Sequence, residues 1–203
     1  MTVRLILTFL FVNLLGCATT PPDNVNDICS IFRQKKGWYD AASRSNKEWG
    51  SPVSVMMAMM HQESTFQAKA KPPRKKIFGL IPGPRPSNAY GYSQALDSTW
   101  KAYKRSAGRY LADRDDFKDA IDFIGWYNHQ SFLKSKISKS DAYSLYLAYH
   151  EGQGGFNRGT YRSKEWLMKV ASKVRKRSKI YQSQLSSCEG SLNKKPGIFG
   201  IFG

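Results

Sequence analysis

The sequence predicts a mainly α single domain, and three observations carry that expectation. Helix start signals followed by apolar residues at helical spacing recur along the chain, and strand signals are scarce. The length of 203 residues leaves room for one core of ordinary size, enough to bury about two thirds of the unfolded surface.

Taken in order, residues 1–16 carry Arg4 and then an apolar run from Leu5 to Leu15. The run is too short to stay in a bilayer as a spanning helix and reads as a cleaved export signal. Residues 17–27, with Pro21 and Pro22, read as a tether, and residues 28–189 as the folded domain. A first helix is expected over Ile28 to Arg44. Ser51 as N-cap and Pro52 in the first turn open a second that runs to about Phe66. On that helix Val53, Met56, Met57 and Met60 form one apolar arc; Ser64 falls inside it and Glu63 sits at its edge.

From Lys71 to Ser87 the prolines 72, 73, 82, 84 and 86 exclude any long regular element. Ile77, Phe78, Leu80 and Ile81 within this loop either pack against the domain or touch a partner such as a membrane or a substrate strand. A short β element is expected around Ala89 to Gln94. Helices follow at Leu96 to Ser106, Asp115 to His129, Ser140 to Glu151 and Ser163 to Leu185, and residues 190–203 read as a disordered tail.

Three short motifs carry the chemistry: Glu63-Ser64, Gly91-Tyr92-Ser93-Gln94 and Ala148-Tyr149-His150-Glu151-Gly152. A carboxyl at the boundary between core and cleft is partly desolvated, which raises its pKa as a general acid requires. Gln94 offers an amide with donor and acceptor, Gly91 lets backbone approach closely, and Gly152 is placed to end a helix. In this order the motifs resemble the Glu-Ser, Gly-Leu-Met-Gln and Ala-Tyr-Asn-x-Gly motifs of lytic transglycosylases and goose-type lysozymes. Tyr92-Ser93 stands where the family has Leu-Met, and His150 where it has Asn.

The resemblance implies a lysozyme-like fold in which the proline-rich loop is inserted after the catalytic helix. It implies cleavage of the β-1,4 bond between N-acetylmuramic acid and N-acetylglucosamine in peptidoglycan, with Glu63 as general acid and then base and a 1,6-anhydro ring as product. Ser64, Gly91, Tyr92, Gln94, Tyr149, His150 and Glu151 become the candidate substrate-binding residues, with Tyr149 bonding either the Glu63 carboxyl or the substrate. Glu151, as a second carboxylate, could hold a water and turn the reaction into hydrolysis, or simply form local bonds. Trp126, Tyr127, Tyr146 and Tyr161 are candidates for stacking on sugars or for core packing. No cofactor is expected, and no metal, because His61, His129 and His150 match no zinc spacing.

Gly16-Cys17 after the apolar run resembles the lipobox of bacterial lipoproteins. This implies lipid on Cys17 and, with Ala18 next, an outer-membrane address on the periplasmic side; the alternative is an ordinary secretory signal ending in cysteine by chance. Of the three cysteines, lipidation of Cys17 leaves Cys29 and Cys188 either to pair or to remain as buried thiols. The formal charge of +17 calls for anionic partners, and export together with the lack of an RNP or zinc-ligand pattern argues against nucleic acid. Peptidoglycan strands and other anionic envelope polymers are therefore the expected partners of a monomer. Two rival readings are a lysozyme-type hydrolase and a peptidoglycan-binding lipoprotein without turnover.

Overall fold

The computed structural model describes residues 20–74, 76–77 and 80–193; the expected leader, Cys17, Phe78 and the tail from 194 onward lie outside the described residues. Its elements are α1 (Ile28–Gln34), α2 (Trp38–Trp49), α3 (Val53–Ser64), the strands β1 (Lys76–Ile77) and β2 (Ile81–Pro82), α4 (Asp97–Ser106), α5 (Phe117–Ser135), α6 (Ala142–Arg158), a 3-10 turn (Thr160–Ser163) and α7 (Glu165–Leu192). The chain is mainly helical, as its sequence predicts.

The centre of the fold is α3. Every residue from Val53 to Met60 is buried, so the apolar arc expected from the sequence was too narrow: this part of the helix is enclosed on all sides and, apart from Ser54, apolar. Helices α2, α5 and α7 enclose it, α2 lies along α5, and α6 packs on both α5 and α7. Aromatic rings fill the seams. Trp38 stacks on Phe117 with centroids 3.7 Å apart, and Trp100, Tyr103, Phe123 and Trp126 form a second cluster.

Several boundaries differ from expectation for identifiable reasons. The first predicted helix is two: α1 stops at Gln34, and Gly37, at φ 82°, opens α2. Pro52 rather than Ser51 occupies the cap position of α3. The Ser51 hydroxyl instead accepts a bond from Asn128 Nδ2 on α5 at 2.9 Å, tying the two helices through a buried polar pair. Gly152, at φ 72° and ψ 157°, ends the first helical segment of α6 as expected, and a second segment runs on across this kink to Arg158. Helix α7 runs on to Leu192, past the expected start of the tail.

The expected tether is docked over its described part. Lys35 Nζ donates to the Thr20 carbonyl at 2.6 Å, Asp23 N–H donates to Gln34 Oε1 at 2.9 Å, and Gln184 Nε2 donates to the Asn26 carbonyl at 3.1 Å. In the proline-rich loop β1 and β2 pair antiparallel, Lys76 with Pro82 and Ile77 with Ile81. Leu80 is 85% exposed and Ile81 61%, so for these two the packing reading fails.

Cys29 on α1 and Cys188 on α7 form a disulfide across a sequence separation of 159, joining the first helix to the last. Closing so long a loop restricts the unfolded chain strongly. Reducing it, or replacing both cysteines by alanine, is expected to lower stability by about 2–5 kcal/mol, read as a lower urea midpoint with and without reductant.

Candidate active site

Helix α3 carries Glu63 in its last turn, and the chain then bends sharply. Thr65 and Phe66 both adopt left-handed backbone, at φ 51° and 59°, which costs about 1–2 kcal/mol per non-glycine residue. Full burial of Phe66, packed against Trp38 and stacked on His61, holds the bend in place. The Ser64 hydroxyl is buried and donates back to the Met60 carbonyl at 3.3 Å, so Ser64 supports the helix end.

The second motif is a tight loop closed by the bridge between Tyr90 and Ala95. Gly91 N–H donates to the Ala70 carbonyl at 3.0 Å, and Gln94 Nε2 donates to the Ala70 and Gly91 carbonyls at 3.0 and 2.9 Å. Both amide hydrogens of Gln94 are thereby committed, leaving its side-chain oxygen as an acceptor. A Cβ on Gly91 would lie 2.1 Å from the Arg114 carbonyl oxygen. The close approach that this glycine permits is therefore to the protein's own backbone. Tyr92 is buried, edge-on to Trp38 and Phe117, and belongs to the core.

Helix α6 brings the third motif to the other two. The Tyr149 hydroxyl donates to the Ser93 carbonyl at 2.6 Å, joining motif three to motif two, and its ring stands edge-on to Tyr127 at 4.9 Å. The sequence offered Glu63 or substrate as the partner of Tyr149; its hydroxyl hydrogen goes to Ser93 instead. The tyrosine whose hydroxyl approaches the Glu63 carboxyl is Tyr146. It lies three residues before Tyr149 and shares its helix face, which is the spacing signal that could have singled it out.

Glu63 is half-buried, and burial pushes its carboxyl from 4.5 up to about 7; the Tyr146 hydroxyl, which favours the ionised form, opposes the shift. Burial also raises the Tyr146 and Tyr149 hydroxyls, with the negative charge of Glu63 adding to it, so both stay protonated donors at neutral pH. Such a carboxyl can hold a proton near neutrality, release it, and take another back.

Glu151 has a different environment. Lys164 Nζ donates to its two oxygens at 2.7 and 2.9 Å, the Thr160 hydroxyl donates to one of them, and His150 Nδ1 lies 3.0 Å from the other. These bonds, that from Lys164 foremost, hold its carboxyl down at about 2. A carboxylate so fully paired ties α6 to the 3-10 turn and is poorly placed to activate a water. His150 stands edge-on to Trp166 at 5.2 Å.

A family model described as the transglycosylase SLT domain matches residues 5–188. Neither the curated proteins nor the solved structures yield a match.

Two outcomes are expected from this geometry. Because the folded pKa of Glu63 is raised, the folded state binds more protons than the unfolded one between about pH 4.5 and 7, and the group's contribution to stability is lost as pH rises through that window. Glu63→Gln should therefore gain stability relative to wild type across it, levelling above pH 7 at up to about 3 kcal/mol, as followed by thermal melts from pH 4 to 8. Gly91→Ala, forced against the Arg114 carbonyl and into left-handed backbone, should lose about 2–4 kcal/mol in denaturant titrations.

Proposed function

The chain belongs to the transglycosylase SLT domain family, whose members cleave peptidoglycan in the lytic-transglycosylase manner, and from that premise we propose that it cuts the N-acetylmuramic acid–N-acetylglucosamine β-1,4 bond with Glu63 as acid and base. The single observation that carries this reading is the Glu63 carboxyl raised to about 7, at the place where α3, the Gly91–Gln94 loop and α6 converge.

In the first step protonated Glu63 gives its proton to the glycosidic oxygen as the bond from C1 to that oxygen breaks. The positive charge developing at C1 is met by the carbonyl oxygen of the muramic acid's own N-acetyl group, which bonds to C1. In the second step the C6 hydroxyl oxygen attacks C1, displaces the acetyl oxygen and yields its proton to the Glu63 carboxylate. The 1,6-anhydro ring closes, no water is consumed, and the enzyme returns to its starting state. Tyr146 stabilises the carboxylate between the steps by hydrogen bonding. The free side-chain oxygen of Gln94 is offered to a sugar hydroxyl, and Tyr149, by fixing Ser93, sets the distance between loop and helix.

One-carboxylate chemistry is favoured over hydrolysis because Glu151 is held by Lys164, Thr160 and His150. The apolar leader ending in Gly16-Cys17 supports a lipid-anchored monomer on the periplasmic face of the outer membrane, acting on wall strands beside other anionic envelope polymers.

Digestion of purified peptidoglycan followed by mass analysis of the fragments tests this. Anhydro-muramic ends are expected, and Glu63→Gln should lower their rate of release roughly 10²–10⁴-fold. Reducing ends in their place would make the protein a lysozyme-type hydrolase. No release at all by wild type would leave a wall-binding lipoprotein.

A further inference from the structure

A cavity of about 400 Å³ lies between α3 and α7, lined by Ala58, His61, Gln62, Lys173, Lys176 and Arg177 among others. Its size is within the range of ligand pockets, ~300–1,000 Å³. Glu63 is not among its lining residues and sits about 140° around the helix from Ala58, so this groove opens on a different face of α3 from the proposed cleavage site. Its floor is apolar, with the 42% exposed Ile180 lying beside the buried Ala58 and Val174, and its rim is cationic.

The charges at the rim are not neutralised from within. Among the described residues Lys173, Lys176 and Arg177 have no carboxylate partner; the ion pair on this helix joins Lys169 to Glu165 at 3.0 Å. Arg177 is held in place by donating to Asn26 Oδ1 at 2.7 Å and lying over the Tyr181 ring at 5.7 Å. A guanidinium fixed in this way presents its remaining donors with little loss of side-chain freedom.

His61 adds a feature of the opposite kind. Burial, with Arg177 nearby, lowers its pKa to about 4, so the ring is neutral at physiological pH. The Tyr181 hydroxyl hydrogen goes to the Val25 carbonyl, so the contact at 3.3 Å between that hydroxyl and His61 Nδ1 requires Nδ1 to be the donor. Nε2 is then a bare acceptor. A phosphate, rich in acceptors, would meet a lone pair there; a chain that alternates carboxylates with amide N–H groups and small apolar side chains would match rim, acceptor and floor together.

We propose that this groove binds the carboxylate-bearing stem peptide of peptidoglycan, as a docking site separate from the glycan cleft that holds the enzyme on the wall between cuts. The inference rests on the peptidoglycan reading above. It also gives a specific use to basic residues of α7 that a solvated helix face would leave without one.

The test uses a binding measurement that needs no turnover. Stem tetrapeptide released from purified wall is titrated into the Glu63→Gln protein by calorimetry, and into the same protein carrying Lys173→Glu and Lys176→Glu. Saturable binding that weakens at least ~10-fold in the charge-reversed protein is expected, with a smaller loss for Lys173→Gln with Lys176→Gln. On an otherwise wild-type chain, the Lys173→Glu, Lys176→Glu pair should leave cleavage of peptide-free glycan strands unchanged while slowing release from intact wall. Absence of peptide binding, or binding that charge reversal leaves intact, overturns the proposal, as does a loss confined to anionic phospholipid vesicles, which would assign the groove to lipid phosphate. A wild-type chain that releases no glycan fragments from wall would instead overturn the cleavage reading.

Discussion

The constraint on which the molecule depends is the enclosure of α3. A helix whose residues are buried on every side for two turns cannot slide or rotate without opening the core. The last turn of such a helix is therefore a rigid place to mount a functional group, and Glu63 stands there. The left-handed backbone at Thr65 and Phe66 takes the chain away from the core directly after it, and the fully buried Phe66 ring over-determines a conformation that would otherwise be disfavoured. Rigid support and local strain thus meet at one carboxyl.

Around that carboxyl the electrostatics are simple. Tyr146 and Tyr149 are held as neutral donors, and the neighbouring acid, Glu151, is neutralised by Lys164 within its own helix–turn unit. Of the two carboxyls, Glu63 is the one that burial moves towards neutral pH. Gly152 breaks α6 directly after Glu151, and the segment beyond it is tied to the 3-10 turn, with the Thr160 hydroxyl donating to the Gly155 carbonyl at 3.2 Å.

The helical class, the partly buried setting of Glu63 and the pairing of Cys29 with Cys188 could be read from the sequence, because helix start signals, an apolar arc and cysteine parity are local or countable features. Ser51, Gly91 and Tyr92 show where such reading stops. Each looked like a cap or a site residue, and each is explained by a partner far away in sequence: Asn128 for Ser51, the Arg114 backbone for Gly91, Trp38 and Phe117 for Tyr92. Tyr146 was visible only as one of several aromatic residues until the fold oriented its hydroxyl. The exposed Leu80 and Ile81 go against the packing alternative alone, since apolar character by itself does not say what a loop packs upon.

The docking of residues 20–27 limits how far the body can stand from any anchor. Thr20 is already hydrogen-bonded to Lys35, and Pro22 is buried. If Cys17 carries acyl chains, three peptide units remain between lipid and folded surface, a leash of about 10 Å at full stretch. A domain on so short a leash would ride against the headgroups and reach only the innermost layer of any polymer lying above them.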